Sequence, residues 1–326
     1  MDEQREQRKL ERKALRKQMA PLGWALLIYL GIFNAAVYLT MIIHAVVLQV
    51  SGMSPEQQAY VEALQGNGIG YLIAVSIGLL LLRIWKGREF CYKTLWTQGK
   101  PMRGGDFVSL LVLLVGGQMA YQILVVVLEM VLSPFGLSAL PSVEATNIDT
   151  DTLSMYLYAA VAAPIAEEIL FRGLVMRGLE PYGKRFAIVM SAFAFAIFHG
   201  NLVQSPYAFV VGLVLGYAAM EHNILWAMVL HMFNNLVVAD LLRRLTAGLP
   251  EVAASLILVV ITWTCGIAGI ILLAACRDRV AAYHKKHPIR GKYVGAFLKT
   301  PGMIIMIVLL MLSAIAPLIV QIIQGL

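Results

Sequence analysis

Inside stretches that are otherwise apolar, this sequence carries a short set of ionisable side chains: Glu129, Glu167, Glu168, Arg172, His199, His231 and Asp240, with His44 near the end of the first stretch. Each costs roughly 2.5–3.5 kcal/mol at the centre of a membrane helix on insertion scales, so each needs a compensating role. Three patterns between residues 160 and 240 concentrate them: Glu167-Glu168-Ile-Leu-Phe-Arg172, Phe195-Ala-Ile-Phe-His199 and His231-Met-Phe-Asn-Asn235. Residues three and four apart share a helix face, so His231 and Asn235 point the same way, as do Phe195 and His199. Glu168 and Arg172 are four apart with the acid first, the favourable order for an ion pair, which leaves Glu167 on the adjacent face.

A carboxylate, two imidazoles and a carboxamide are the parts that hydrolysis of an amide by water needs in a dry site. Glu167, acting with His199, would deprotonate a water molecule. His231 and Asn235 would donate hydrogen bonds to the oxyanion formed when that water attacks a peptide carbonyl. Asn234, three residues on from His231, meets the same face and is the alternative amide. Pro164 removes a backbone hydrogen bond and is expected to kink the helix beside Glu167.

The elements that must position these groups are set by composition. Of 326 residues 60% are hydrophobic and 14% charged, and the mean hydropathy is +0.76, so lipid must be the main solvent. The fold expected is an all-α polytopic transmembrane bundle of about 8–9 spans, from apolar runs near 21–50, 67–85, 107–133, 153–177, 186–200, 206–221, 223–241, 252–275 and 302–323. Residues 1–20 hold seven Lys or Arg against four acids and form a basic lead-in. The net charge of +7 gathers in short loops, which argues for topology and against a nucleic-acid partner. Residues 86–103 and 276–292 are rich in Lys and Arg, whereas 51–66 and 134–152 hold acids and no base. That alternation places the N-terminus in the cytoplasm, with Arg243 and Arg244 the exceptions on the outer side. Cys91, Cys265 and Cys276 lack CxxC spacing and are read as packing residues. His44, and His222 in the Glu221-His222-Asn223 turn, are read as packing hydrogen-bonders, and Glu129 and Asp240 as residues lining polar cavities or an interface.

The motifs EExxxR at 167–172, FxxxH at 195–199 and HxxxN at 231–235, in this order on separate apolar segments, resemble the CPBP family of intramembrane glutamic endopeptidases, also called Abi. That family includes CAAX prenyl endopeptidases and bacterial members linked to bacteriocin processing, self-immunity and pheromone maturation. The stretch around Gln204, Tyr207, Phe209, Gly212 and Gly216 also looks like the family, with glycines permitting close helix packing. The resemblance covers about residues 150–240 and implies Glu167 as catalytic base, Glu168 and Arg172 as its supporting pair, His199 as water partner, and His231 with Asn235 as the oxyanion site. It divides the chain into a basic segment at 1–20, N-terminal helices at 21–145, a catalytic core at 146–245 and C-terminal helices at 246–326.

Rival chemistries lack their residues: there is no HExxH, no GxSxG and no membrane-aspartate pair. The expectation is a metal-independent endopeptidase of the bacterial plasma membrane, without cofactor, acting on a membrane-associated peptide, whether prenylated or a leader or pheromone. A zinc ion on Glu167, His199 and His231 stays chemically open. So do a proton-coupled transporter using the same buried groups and a catalytically silent immunity or scaffold protein. At about 1.5 Å per residue, Glu167 and His199 fall at depths about 10 Å apart in a core of about 30 Å. The two meet only if helix four starts above the membrane or helix five sits in a recess.

Overall fold

The computed structural model describes residues 2–57, 68–146, 150 and 152–325. The side chains of Asp240 and Arg243, both singled out above, lie outside the described ones. Every apolar run of the sequence is helical among the described residues, and no strand occurs there. The principal helices are α1 (Asp2–Val50), α2 (Gly68–Glu89), α3 (Gly104–Leu132), α4 (153–179), α5 (Lys184–Phe198), α6 (Gln204–Glu221), α7 (224–246), α8 (Glu251–Ala275), α9 (Arg277–Lys286), α10 (Gly291–Leu298) and α11 (Pro301–Gly325).

Among the described residues five helices are long and apolar enough to cross a membrane: Gln4–Val50, Gly68–Thr94, Gly104–Phe135, Glu251–Ala275 and Pro301–Gly325. Their outward faces carry large apolar side chains such as Ile42, Val126, Ile271 and Leu312, as lipid-facing helices must. Small residues let them approach. A Cβ on Gly302 would stand 2.5 Å from the Gly23 carbonyl carbon, which joins α11 to α1, and one on Gly116 would stand 2.9 Å from the Cys265 carbonyl oxygen, which joins α3 to α8. α4 to α7 form the core, where Phe171, Leu174, Phe186, Phe195 and Leu215 are buried.

Contacts sort the loops into two ends. At one end Gln18 accepts from the Tyr182 hydroxyl at 2.9 Å, and the backbone amide of Lys100 donates to the Glu221 carbonyl at 2.7 Å. The Glu221 carboxylate accepts from Lys184 Nζ at 3.3 Å and from the Tyr283 hydroxyl at 3.1 Å. The basic segments 86–103 and 276–292 therefore meet at this end. At the other, Ser138 pairs with Gln321, Asn201 donates to the Ser142 carbonyl and Arg244 to the Thr150 carbonyl. Glu129, without a visible partner in the sequence, accepts from the Ser138 hydroxyl at 3.0 Å and so ties the end of α3 to the loop beyond it.

The segment 276–300, expected as a loop, holds α9 and α10. α9 is pinned by the bond from Tyr283 to Glu221, and α10 by Phe297, which is fully buried. Burial, with Glu221 beside it, pushes the Tyr283 hydroxyl above the ordinary tyrosine range and keeps it a donor. Removing this hub by Glu221→Ala is expected to lower stability by about 1.5–3 kcal/mol, the usual scale for bonds to a charged group, with Tyr283→Phe costing about 1 kcal/mol. Thermal melting of the purified protein in detergent measures both.

Candidate active site

The carboxylates sit on α4, which is not a regular helix. It alternates α-helical turns with wider π-helical ones at Tyr158–Ala162 and Glu168–Met176. Pro164 lies in the first turn of the short α segment Ala163–Glu167, directly after the first π turn. A proline lacks the N–H that a regular helix would use, and a widened turn is one way for a helix to absorb that loss. α7 behaves likewise: Ile224–Phe233 is α-helical and Asn234–Leu241 is π-helical. Both helices thus widen immediately after a residue group nominated for chemistry, at Glu167 and at His231.

Arg172 is the largest fully buried side chain among the described residues. Its Nη1 donates to Glu168 Oε1 at 2.7 Å, with both side chains inaccessible, and its Nη2 donates to the carbonyl of Gly212 on α6 at 3.2 Å. The guanidinium also lies over the Phe195 ring, 4.5 Å from its centroid. Glycine is needed at 212 for contact: a Cβ there would stand 3.0 Å from Ala192 Cα and Cβ. The same Glu168 oxygen takes His231 Nδ1 at 2.8 Å. An ionised carboxylate only accepts, so in this pair the imidazole donates through Nδ1. The other ring nitrogen, Nε2, faces Glu167 Oε2 at 3.6 Å. His231 is therefore held between the two adjacent glutamates, one locked to an arginine and one not. Glu167 makes no ion pair with a lysine or arginine among the described residues, and its side chain is 26% exposed.

His199 directly follows the last residue of α5, and its Nδ1 bonds the Phe195 carbonyl at 2.8 Å. Phe195 meets the His199 ring edge-on at 4.8 Å and the His231 ring edge-on at 5.6 Å, so one buried aromatic holds both imidazoles. The Glu167 carboxylate lies near enough to act electrostatically on His199. α5 has 15 residues, about 22 Å of helix against a core of about 30 Å. The helix ends beside His199, whose ring shares Phe195 with that of His231.

The carboxamides beyond His231 take partners on other helices. The π turn beginning at Asn234 rotates the residues beyond it, and Asn235 Nδ2 donates to the Ala159 carbonyl on α4 at 3.1 Å. Asn234 is buried and donates to Asn235 Oδ1 at 3.2 Å while accepting from the Tyr207 hydroxyl at 3.0 Å. Gln118 of α3 donates in turn to Tyr207 at 2.7 Å. This directional chain from α3 through α6 to α7 fixes the Asn235 carboxamide. Sequence reasoning missed Gln118 and the carbonyls of Gly212 and Ala159, because backbone acceptors leave no trace in residue type. Among the described residues no three His, Cys, Asp or Glu side chains converge as a group that could hold a metal ion.

Residues 149–237 match the family described as Type II CAAX prenyl endopeptidase Rce1-like, in line with the resemblance carried by the three motifs. The match takes in Glu167, Glu168, Arg172, His199, His231 and Asn235 and leaves α1 to α3 and α8 to α11 outside it. No curated protein and no solved structure matches the chain.

The buried charges make a sharp prediction. Arg172→Met would leave Glu168 buried without its cation, and losing one partner of such a pair costs about 3–5 kcal/mol. The expected outcome is a variant that extracts as aggregate or melts far below the wild type by size-exclusion and thermal assays. Arg172→Met with Glu168→Gln should recover part of the loss.

Proposed function

We propose, from the Rce1-like match at 149–237, that this protein is a membrane-embedded endopeptidase whose nucleophile is a water activated by Glu167. The observation that carries the reading is the division of labour between adjacent glutamates. Glu168 is neutralised by Arg172 and orients His231, while Glu167 faces His231 Nε2 at 3.6 Å with no cation of its own. A carboxylate that no lysine or arginine engages is free to act as a base.

Glu167 and His199 hold the water, and as its oxygen bonds to the peptide carbonyl carbon, Glu167 takes its proton. The carbonyl electron pair moves to oxygen, where the second N–H of Asn235 and His231, protonated on Nε2 as well as on Nδ1, stabilise the charge. When the intermediate collapses, the carbon–nitrogen bond breaks and the proton on Glu167 passes to the departing amine. The products are a free carboxylate and a free amine, with no metal in the scheme. The substrate is a membrane-associated peptide, and a prenylated CAAX tail is the first class to assay, given the family's description. The basic end faces the cytoplasm by the excess of Lys and Arg in its loops.

Comparing membrane peptidomes of cells carrying the wild type and Glu167→Ala tests the reading. Loss of the base is expected to slow cleavage by about 10²–10⁴-fold, so uncut precursor accumulates. His231→Ala should slow it by about 10²–10³-fold. Undiminished cleavage in both variants would contradict the proposal.

A further inference from the structure

Next to the residues that precede His199 and hold Asn235 lies a group of four aromatic rings, three of them from helices outside the matched segment. Tyr29 and Phe33 of α1 stack with centroids 6.3 Å apart at 18°, and Tyr71 of α2 stacks on Tyr158 of α4 at 4.8 Å and 26°. Phe33 joins the two pairs, 5.8 Å from Tyr71 and 6.5 Å from Tyr158. The group abuts the site from two sides. Tyr29 packs 6.2 Å from Phe198, the residue before His199, and Tyr158 precedes Ala159, whose carbonyl holds Asn235.

Two further facts separate this wall from ordinary core. All four rings are only half-buried, unlike Phe171, Phe186 and Phe195. The hydroxyls of Tyr29, Tyr71 and Tyr158 have no hydrogen-bond partner among the described residues, although a tyrosine placed for packing alone normally pairs its O–H or is replaced by phenylalanine. The rings are also positioned. A Cβ on Gly78 would stand 2.5 Å from Tyr29 Cε2, so the glycine lets that ring lie flat against α2. Flat apolar walls carrying a few fixed polar tips are how small-molecule and peptide subsites are built.

We infer that Tyr29, Phe33, Tyr71 and Tyr158 form the specificity subsite of the protease, taking an apolar side chain next to the scissile bond and hydrogen-bonding the adjoining peptide backbone through the tyrosine hydroxyls. The assignment rests on the endopeptidase reading and places substrate selection largely in α1 and α2, outside the domain that carries the chemistry. Position decides the occupant: whatever residue adjoins a bond attacked by Glu167-bound water lies against these rings. Aromatic faces favour an apolar group, and a pocket of this kind distinguishes side chains one methylene apart by about 10–200-fold.

The test uses the full-length protein in nanodiscs and internally quenched synthetic copies of a cleavage site found Glu167-dependent in the peptidome comparison, varied by one residue at each position flanking the scissile bond. Phe33→Ala and Tyr71→Ala enlarge the pocket, and each is expected to move the preference at one position toward bulkier side chains by about 10-fold in kcat/KM, leaving other positions unchanged. Tyr29→Phe and Tyr158→Phe keep the rings and remove only the hydroxyls, so they remain informative if the alanine variants unfold. They are expected to raise KM several-fold with kcat within about twofold, the pattern of lost substrate binding. Preference profiles and KM values that superimpose on the wild type, while Glu167→Gln is silent, would overturn the subsite alone. Cleavage by Glu167→Gln would overturn the endopeptidase reading and the subsite with it.

Discussion

A full cation with no exposure, at the centre of a bundle made of apolar helices, is the constraint on which the rest of this molecule depends. Arg172 costs several kcal/mol to desolvate, and only good geometry offsets that. The geometry is supplied from three helices: Glu168 on α4 accepts at 2.7 Å, Gly212 on α6 offers its carbonyl at 3.2 Å, and Phe195 on α5 presents its ring face at 4.5 Å. None of the three can move without stranding the charge. The cation therefore fixes the relative placement of α4, α5 and α6, and through Glu168 and His231 it fixes α7 as well.

That arrangement explains why two adjacent glutamates, chemically identical in sequence, differ in the fold. Glu168 faces inward and is occupied by Arg172 and His231. Glu167, one residue earlier, points to the other side of the imidazole and keeps partial access to its surroundings. Of two polar groups that a membrane interior would otherwise penalise, one is thus tied into the architecture and the other is left free of lysine and arginine.

Much of this is legible in the sequence and some is not, for physical reasons. The Glu168–Arg172 pair is, because four-residue spacing with the acid first is a local property of any helix. The helices are, because length and apolarity decide them. The bond from His231 to Glu168, 63 residues apart, is not, since it depends on how α7 packs on α4. The bond from Asn235 to the Ala159 carbonyl is not legible either, since it depends on a turn that widens at Asn234 and on how α7 packs on α4. Tyr29 and Phe33 stand four apart on α1, a spacing that sequence alone gives no reason to separate from packing.

If Glu167 does the chemistry while Glu168 holds the structure, the most direct measurement is hydrolysis by purified Glu167→Gln, assayed beside its own melting curve. The predicted result is a protein that melts with the wild type and does not hydrolyse its substrate. A Glu167→Gln variant that melts normally and turns over at the wild-type rate would contradict that division.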